Sequence, residues 1–187
     1  MLFRSLTVAG WQGLTTYPHF LWDLNLAREA AAIYPRNMPN LRGLIEGWSA
    51  ASASMHSLEV IVLLLSVALV AWAARTCRFS AGANTSASSF AFVLIVSFLV
   101  GYHSSGFDAA FLLLPALLAA ERVLGSVGGI TTPERITLIC IGTLYFAPLY
   151  LWLLMPLAHL NLLALVLLLW AWATAAEVRQ APGALVT

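Results

Sequence analysis

The sequence predicts an all-α protein, a polytopic transmembrane helical bundle of about five spans with short interfacial helices in an external N-terminal segment. Three observations predict it. Of 187 residues, 61% are hydrophobic and only 9% charged, against about 25% charged in a soluble domain. The mean hydropathy is +0.88, more apolar surface than a water-facing globule can hide. The apolar residues also fall into runs of helical length separated by charged, Gly-rich or Ser-rich stretches. A net charge of +1, with nine scattered arginines and no lysine, provides none of the clustered cations that phosphate neutralisation requires, so no nucleic-acid partner is expected.

The runs are 58–74, 87–102, 107–120, 136–155 and 160–176 (spans A to E). At the helical rise, D reaches about 30 Å, A, B and E about 24–26 Å and C about 21 Å, against a hydrocarbon core of about 30 Å. C either crosses, with Ser105 and Glu121-Arg122 at the interfaces, or forms a re-entrant hairpin with B; crossing is expected, because irregular backbone is not tolerated against lipid. Pro115 in C and Pro148 in D are expected to kink those helices, neighbouring helices accepting the freed carbonyls.

Arginine placement sets the orientation. Arg75 and Arg78 lie between A and B, Arg122 and Arg135 between C and D, and Arg179 after E, while the B–C and D–E connections have none. All five then share one side, cytoplasmic by the positive-inside rule. Residues 1–57, with the end of a partial span and Arg4, Arg28, Arg36 and Arg42, are external, 58–176 form the bundle, and 177–187 are a cytoplasmic tail. Trp72, Trp170 and Trp172 on the inner side, and Tyr102, Tyr150 and Trp152 on the outer, fit interfacial belts, although packing between helices would explain some of them equally well. His19, His56, His103 and His159 are external on this topology. Their spacing matches no metal motif, and Cys77 and Cys140 match neither a metal nor a redox pattern.

In the outer segment, Pro18 suits a first helical turn, and Phe20, Leu24, Ala27 and Ala31 recur at helical spacing opposite Asp23, Arg28 and Glu29. Tyr34-Pro35 and Met38-Pro39 break that helix. Asn40 then caps a second one, with Leu41, Leu44, Ile45 and Trp48 on one face and Arg42 pointing away. Such helices can simply pave the interface, their arginines reaching headgroups. Alternatively, an external arginine holds a phosphate through paired charge-assisted hydrogen bonds, with Arg42 the first candidate and Arg28 or Arg36 the reserves. In the B–C turn, Ser105 and Asp108 have capping-box spacing. His103 and Asp108 at the outer boundary could instead orient a sugar hydroxyl or lipid phosphate.

Gly10-Trp11-Gln12-Gly13 with Tyr17-Pro18, the run Met38-Pro39-Asn40-Leu41-Arg42-Gly43-Leu44, and Tyr102-His103-Ser104-Ser105 followed by Asp108 and Leu112-Leu113-Leu114-Pro115 together resemble the C-terminal part of glycosyltransferase family 87. The resemblance implies a GT-C-type enzyme of the bacterial cytoplasmic (inner) membrane that transfers a hexose, typically mannose, from a polyprenyl-phosphate-linked sugar to an extracytoplasmic acceptor. Arg42, Asn40, His103 and Asp108 are the candidate substrate-binding residues, no metal-ligand spacing is present in the sequence, and the resemblance implies the lipid bilayer and the lipid-linked sugar as partners. Further spans belong upstream in such enzymes, with the catalytic base in their first external loop. The base is therefore expected outside this chain, in a further membrane portion, and the polypeptide alone is expected to be inactive. A noncatalytic membrane subunit or degenerate remnant is the alternative. A transporter would need a polar, interrupted helix at mid-membrane, for which only Gly142 to Tyr145 and Pro148 offer material.

Overall fold

The computed structural model describes residues 15, 16, 19, 38–48, 55–78, 83–101, 107–125, 129–150 and 162–180. The chain divides into two compact units, Met1–Tyr34 and Pro35–Thr187. In the first, only Thr15, Thr16 and His19 are described, all helical and exposed. The amphipathic helix expected after Pro18, with Arg28, lies outside the described residues, as do Arg36, His103, Tyr102, Ser105, Trp152 and His159.

The described part of the second unit is all-helical: α1 (Leu41–Trp48), α2 (Met55–Arg78), α3 (Ala83–Val100), a 3-10 segment (Phe107–Leu112), α4 (Leu113–Gly125), α5 (Thr132–Tyr145), the short α6 (Ala147–Leu149) and α7 (Leu162–Gln180). α3 and α7 form the centre, with α5 packed chiefly on α7 and α4 on α3. Their shared core joins Phe92, Ile95 and Leu99 to Leu167, Trp170 and Ala171, with Leu112 and Cys140 closing its flanks. Trp72 of α2 meets Phe92 edge-on, ring centroids 4.9 Å apart, the geometry that matches a positive ring edge to a negative face. Trp170 is 1% exposed and belongs to this core, whereas Trp172 is 54% exposed. Trp170 is therefore a packing residue rather than part of an interfacial belt.

Among the described residues, two helices are long and apolar enough to cross a membrane, Ser57–Arg78 and Leu162–Arg179. In the α3 region the apolar helix is shorter, Ala87–Val100. Span D is not one helix. α5 ends at Tyr145, a turn follows at Phe146, and Pro148 falls in the first turn of α6. A proline cannot donate to the carbonyl four residues back, and the helical run breaks at Phe146, just before Pro148, and resumes at Ala147. Pro115 is the third residue of α4, directly after the 3-10 segment. It occupies a first turn, where its missing N–H has no intrahelical acceptor to leave empty, and span C is a composite of two helix types.

Local chemistry accounts for the ends. Glu134 accepts the Thr131 N–H at 2.7 Å and the Thr131 hydroxyl at 2.8 Å, with Pro133 in the first turn of α5. Gly129 adopts φ +90° ahead of this cap, a conformation that would strain any residue with a Cβ. Arg75 and Arg78 close α2, and Arg179 closes α7, each offsetting the negative end of its helix dipole.

Hydrogen bonds across the bundle define its two ends. At one, Arg122 near the end of α4 donates through Nη1 to Ser88 Oγ of α3 at 2.7 Å and to Glu177 Oε2 of α7 at 2.5 Å. Thr137 of α5 donates to Glu177 Oε1 at 3.2 Å, and Arg179 donates to Thr76 Oγ1 of α2 at 3.4 Å. This end therefore gathers the last turns of α2, α4 and α7 and the first turns of α3 and α5, and with them Arg75, Arg78, Arg122, Arg135 and Arg179. Arg122 and Glu177 thus lie within helices, past the span ends read at 120 and 176. At the other end, Asn40 is tied to Gly101 at the close of α3, and Leu162 at the start of α7 donates its N–H to the Tyr150 hydroxyl at 3.0 Å.

Candidate functional site

The end of the bundle away from the five arginines holds three of the sequence-predicted candidates, and it is built around Asn40. Met38, Pro39 and Asn40 form a bend. Asn40 Oδ1 then accepts the Gly43 N–H at 2.9 Å, and its carbonyl accepts the Leu44 N–H at 3.0 Å as the first bond of α1. This is the expected N-cap. Its Nδ2 donates to the Gly101 carbonyl at 2.6 Å and approaches Met38 Sδ at 3.9 Å. Asn40 is fully buried. Its side chain both starts α1 and pins it to the chain 61 residues later, where the connection carrying His103 begins.

Arg42 departs from the sequence reading. It is 2% exposed, buried with Leu41 and Leu44, whereas Trp48, expected on the packed face, is 72% exposed. Arg42 Nε donates to Glu46 Oε1 at 3.0 Å. The carboxylate one turn away balances the charge, and the aliphatic stem can pack like an apolar side chain. A guanidinium taken out of water demands such a partner, and Glu46 supplies it from the same helix.

Beside this corner is an apolar cavity of about 280 Å³. Pro39 lines it on one side, with Phe98, Leu112, Leu144, Leu163 and Trp170 around it. Asp108 lies half-buried in the first turn of the 3-10 segment, and the next residue, Ala109, faces the cavity. The structure thus brings Asn40 and Arg42 to the end of α3 and sets Asp108 next to a cavity-lining residue. His103 lies outside the described residues, and Asp108 cannot be matched with Ser105 for the same reason. A half-open apolar pocket bordered by Pro39, three residues before the buried Arg42, is chemically suited to a ligand with a hydrocarbon body and an anionic head.

Sequence reading missed the polar network at the opposite end. Glu177 is 8% exposed and Arg122 26%, and with Ser88 and Thr137 they link α3, α4, α5 and α7. Arg122 Nε also donates to the Leu118 carbonyl at 3.3 Å. The available signal was that opposite charges at the ends of C and E fall on the same side of the predicted topology, so that each can neutralise the other.

No protein family, curated protein or solved structure matches the chain.

Proposed function

We propose that the chain is the C-terminal portion of an integral membrane glycosyltransferase, one that transfers a hexose, with mannose the first choice, from a polyprenyl-phosphate carrier to an extracytoplasmic acceptor at the bacterial cytoplasmic membrane. The observation that carries the reading is the pairing of a buried arginine corner with an apolar cavity at one end of the bundle. The motif resemblance adds the reaction type. In this reading the cavity walls Phe98, Leu112 and Leu163 take isoprenoid units, which lose nothing by leaving lipid for an apolar pocket. Arg42 faces the developing charge of the leaving phosphate. Glu46 accepts from Nε, one of five N–H donors on a guanidinium, and a cation already held in place favours the charged transition state without reorganising. His103 and Asp108 orient the sugar. The proton of the acceptor hydroxyl goes to a base from a further membrane portion, so this chain alone turns over no substrate.

The second reading, a noncatalytic membrane subunit, is favoured by the same two residues. Asn40 already caps α1 and bonds Gly101, and Arg42 already pairs with Glu46. Retention of a radiolabelled polyprenyl-phosphate hexose by the purified chain in detergent discriminates between the two. The transferase reading expects Arg42→Gln to weaken retention about tenfold or more, the loss of a charge-assisted contact, at unchanged helicity. Equal retention by a folded Arg42→Gln chain assigns Arg42 to the fold and rejects it as a phosphate ligand.

A further inference from the structure

The arginine-bearing end carries a surface that the reading above does not use. α2 and α7 both finish here with their chains running the same way, and Arg179 Nη2 reaches across to Thr76 Oγ1 at 3.4 Å. On α7, Leu165, Leu169 and Trp172 are exposed and follow one another at four- and three-residue steps, so they form one stripe along the helix. Arg179, also exposed, comes two turns after Trp172 and ends the same stripe. On α2, Ile61, Leu65 and Ala68 are exposed and lead by the same periodicity to exposed Arg75, adjacent in sequence to Thr76. Two apolar stripes therefore run toward one end of the bundle, each terminated by a guanidinium, and the two helices are joined there by the hydrogen bond from Arg179 to the buried Thr76 beside Arg75.

Charge at this end is one-sided near α2 and α7. Glu177 is engaged by Arg122 and Thr137, and Glu134 by Thr131. Glu121 is exposed on α4. Among the described residues, Arg75 and Arg179 form no ion pair. A bare apolar face would be covered equally well by any lipid. Arginines at its foot select a lipid whose headgroup carries a net negative charge, because they add about a kilocalorie per mole each for such a headgroup and less for a zwitterionic one, whose cationic group offsets its phosphate. The indole of Trp172 suits the boundary between chain and headgroup.

We propose that α2 and α7 form a binding site for an anionic diacyl phospholipid, its acyl chains along the Ile61–Leu65–Ala68 and Leu165–Leu169–Trp172 stripes and its phosphate between Arg75 and Arg179. The site rests on the membrane reading of the chain and is independent of the transferase reaction. The test uses the full chain extracted from membranes into detergent, with the melting temperature followed as lipid is added. Phosphatidylglycerol raises it, phosphatidylcholine of the same acyl chains does not, and inorganic phosphate alone does not. Arg179→Gln and Arg75→Gln each raise the half-saturating phosphatidylglycerol concentration about fivefold. Arg135→Gln, at the same end but on α5, leaves it unchanged, and Arg179→Lys retains most of the binding.

Equal response to the two phospholipids, or an equal loss in Arg135→Gln, overturns the site. So does a full response to inorganic phosphate, which would make it an ion site. If Arg179→Gln fails to fold, Arg75→Gln carries the same reading. Extraction in alkaline carbonate separates the premises: a chain that stays in the membrane pellet but shows no lipid preference loses the site alone, and a chain released to the supernatant loses the membrane reading with it.

Discussion

Arg42 and Arg122 are withdrawn from solvent at opposite ends of the bundle, and they are neutralised in different ways. Arg42 pairs with Glu46 one turn along its own eight-residue helix, an ion pair internal to α1. Asn40 adds a tie from that corner to the end of α3 through the Gly101 carbonyl. Arg122 pairs with Glu177 across 55 residues, and the same carboxylate accepts from Thr137 while the same guanidinium nitrogen reaches Ser88. One arrangement balances a charge within a single helix. The other makes the positions of four helices depend on one another. A lasting pairing inside α1 suits a corner that admits a ligand, and a shared pair between helices suits an end that holds the bundle in register.

The contrast can be broken at three points. Removing Glu177 has the largest effect. Glu177→Ala leaves a largely buried guanidinium without its counter-charge and is expected to cost about 3 kcal/mol, read as one lowered melting transition of the whole chain in detergent. Glu177→Gln, which keeps a hydrogen-bonding oxygen, should cost less. A melting temperature unchanged by Glu177→Ala would show that the pair carries no tertiary load.

Next is Asn40→Ala, which removes the cap of α1 and its tie to Gly101 together, about 2 kcal/mol. Here the damage is local: limited proteolysis should open the chain around residues 38–48 while the main melting transition stays in place. If the global transition falls as far as in Glu177→Ala, the two ends do not differ as described. Smallest is Ser88→Ala. It takes one hydroxyl from Arg122 and leaves the ion pair, so a shift equivalent to about 1 kcal/mol is expected. A cost matching that of Glu177→Ala would place the weight of the network on the serine.

Part of this could be read from the chain alone. The cap at Asn40 was legible because its chemistry is local: an amide oxygen, a bend at Met38-Pro39 and a helix-forming run, all within a few residues. The helical class and the shared end of Arg75, Arg78, Arg122, Arg135 and Arg179 were legible from run lengths and alternation. The fate of Pro148 was not. A proline in an apolar run can kink a helix or end it, depending on whether neighbouring helices take up the freed groups. Arg42 was misread because an arginine in an amphipathic pattern is assigned to the polar face by default, and Glu46 as a buried partner shows only once the helix is docked.

Hydrophobic content and periodic breaks determined that this chain makes helices, where most of them lie, and which ends share a side. Only tertiary structure decided which face of each helix packs inward: α2 has 11% of its apolar window buried and α7 has 50%, though both are apolar all round. When every face is hydrophobic, polarity no longer distinguishes core from surface, and the choice falls to side-chain shape and to the few polar groups that must find partners. That is why Trp170 lies in the core while Trp172, two residues on, faces out.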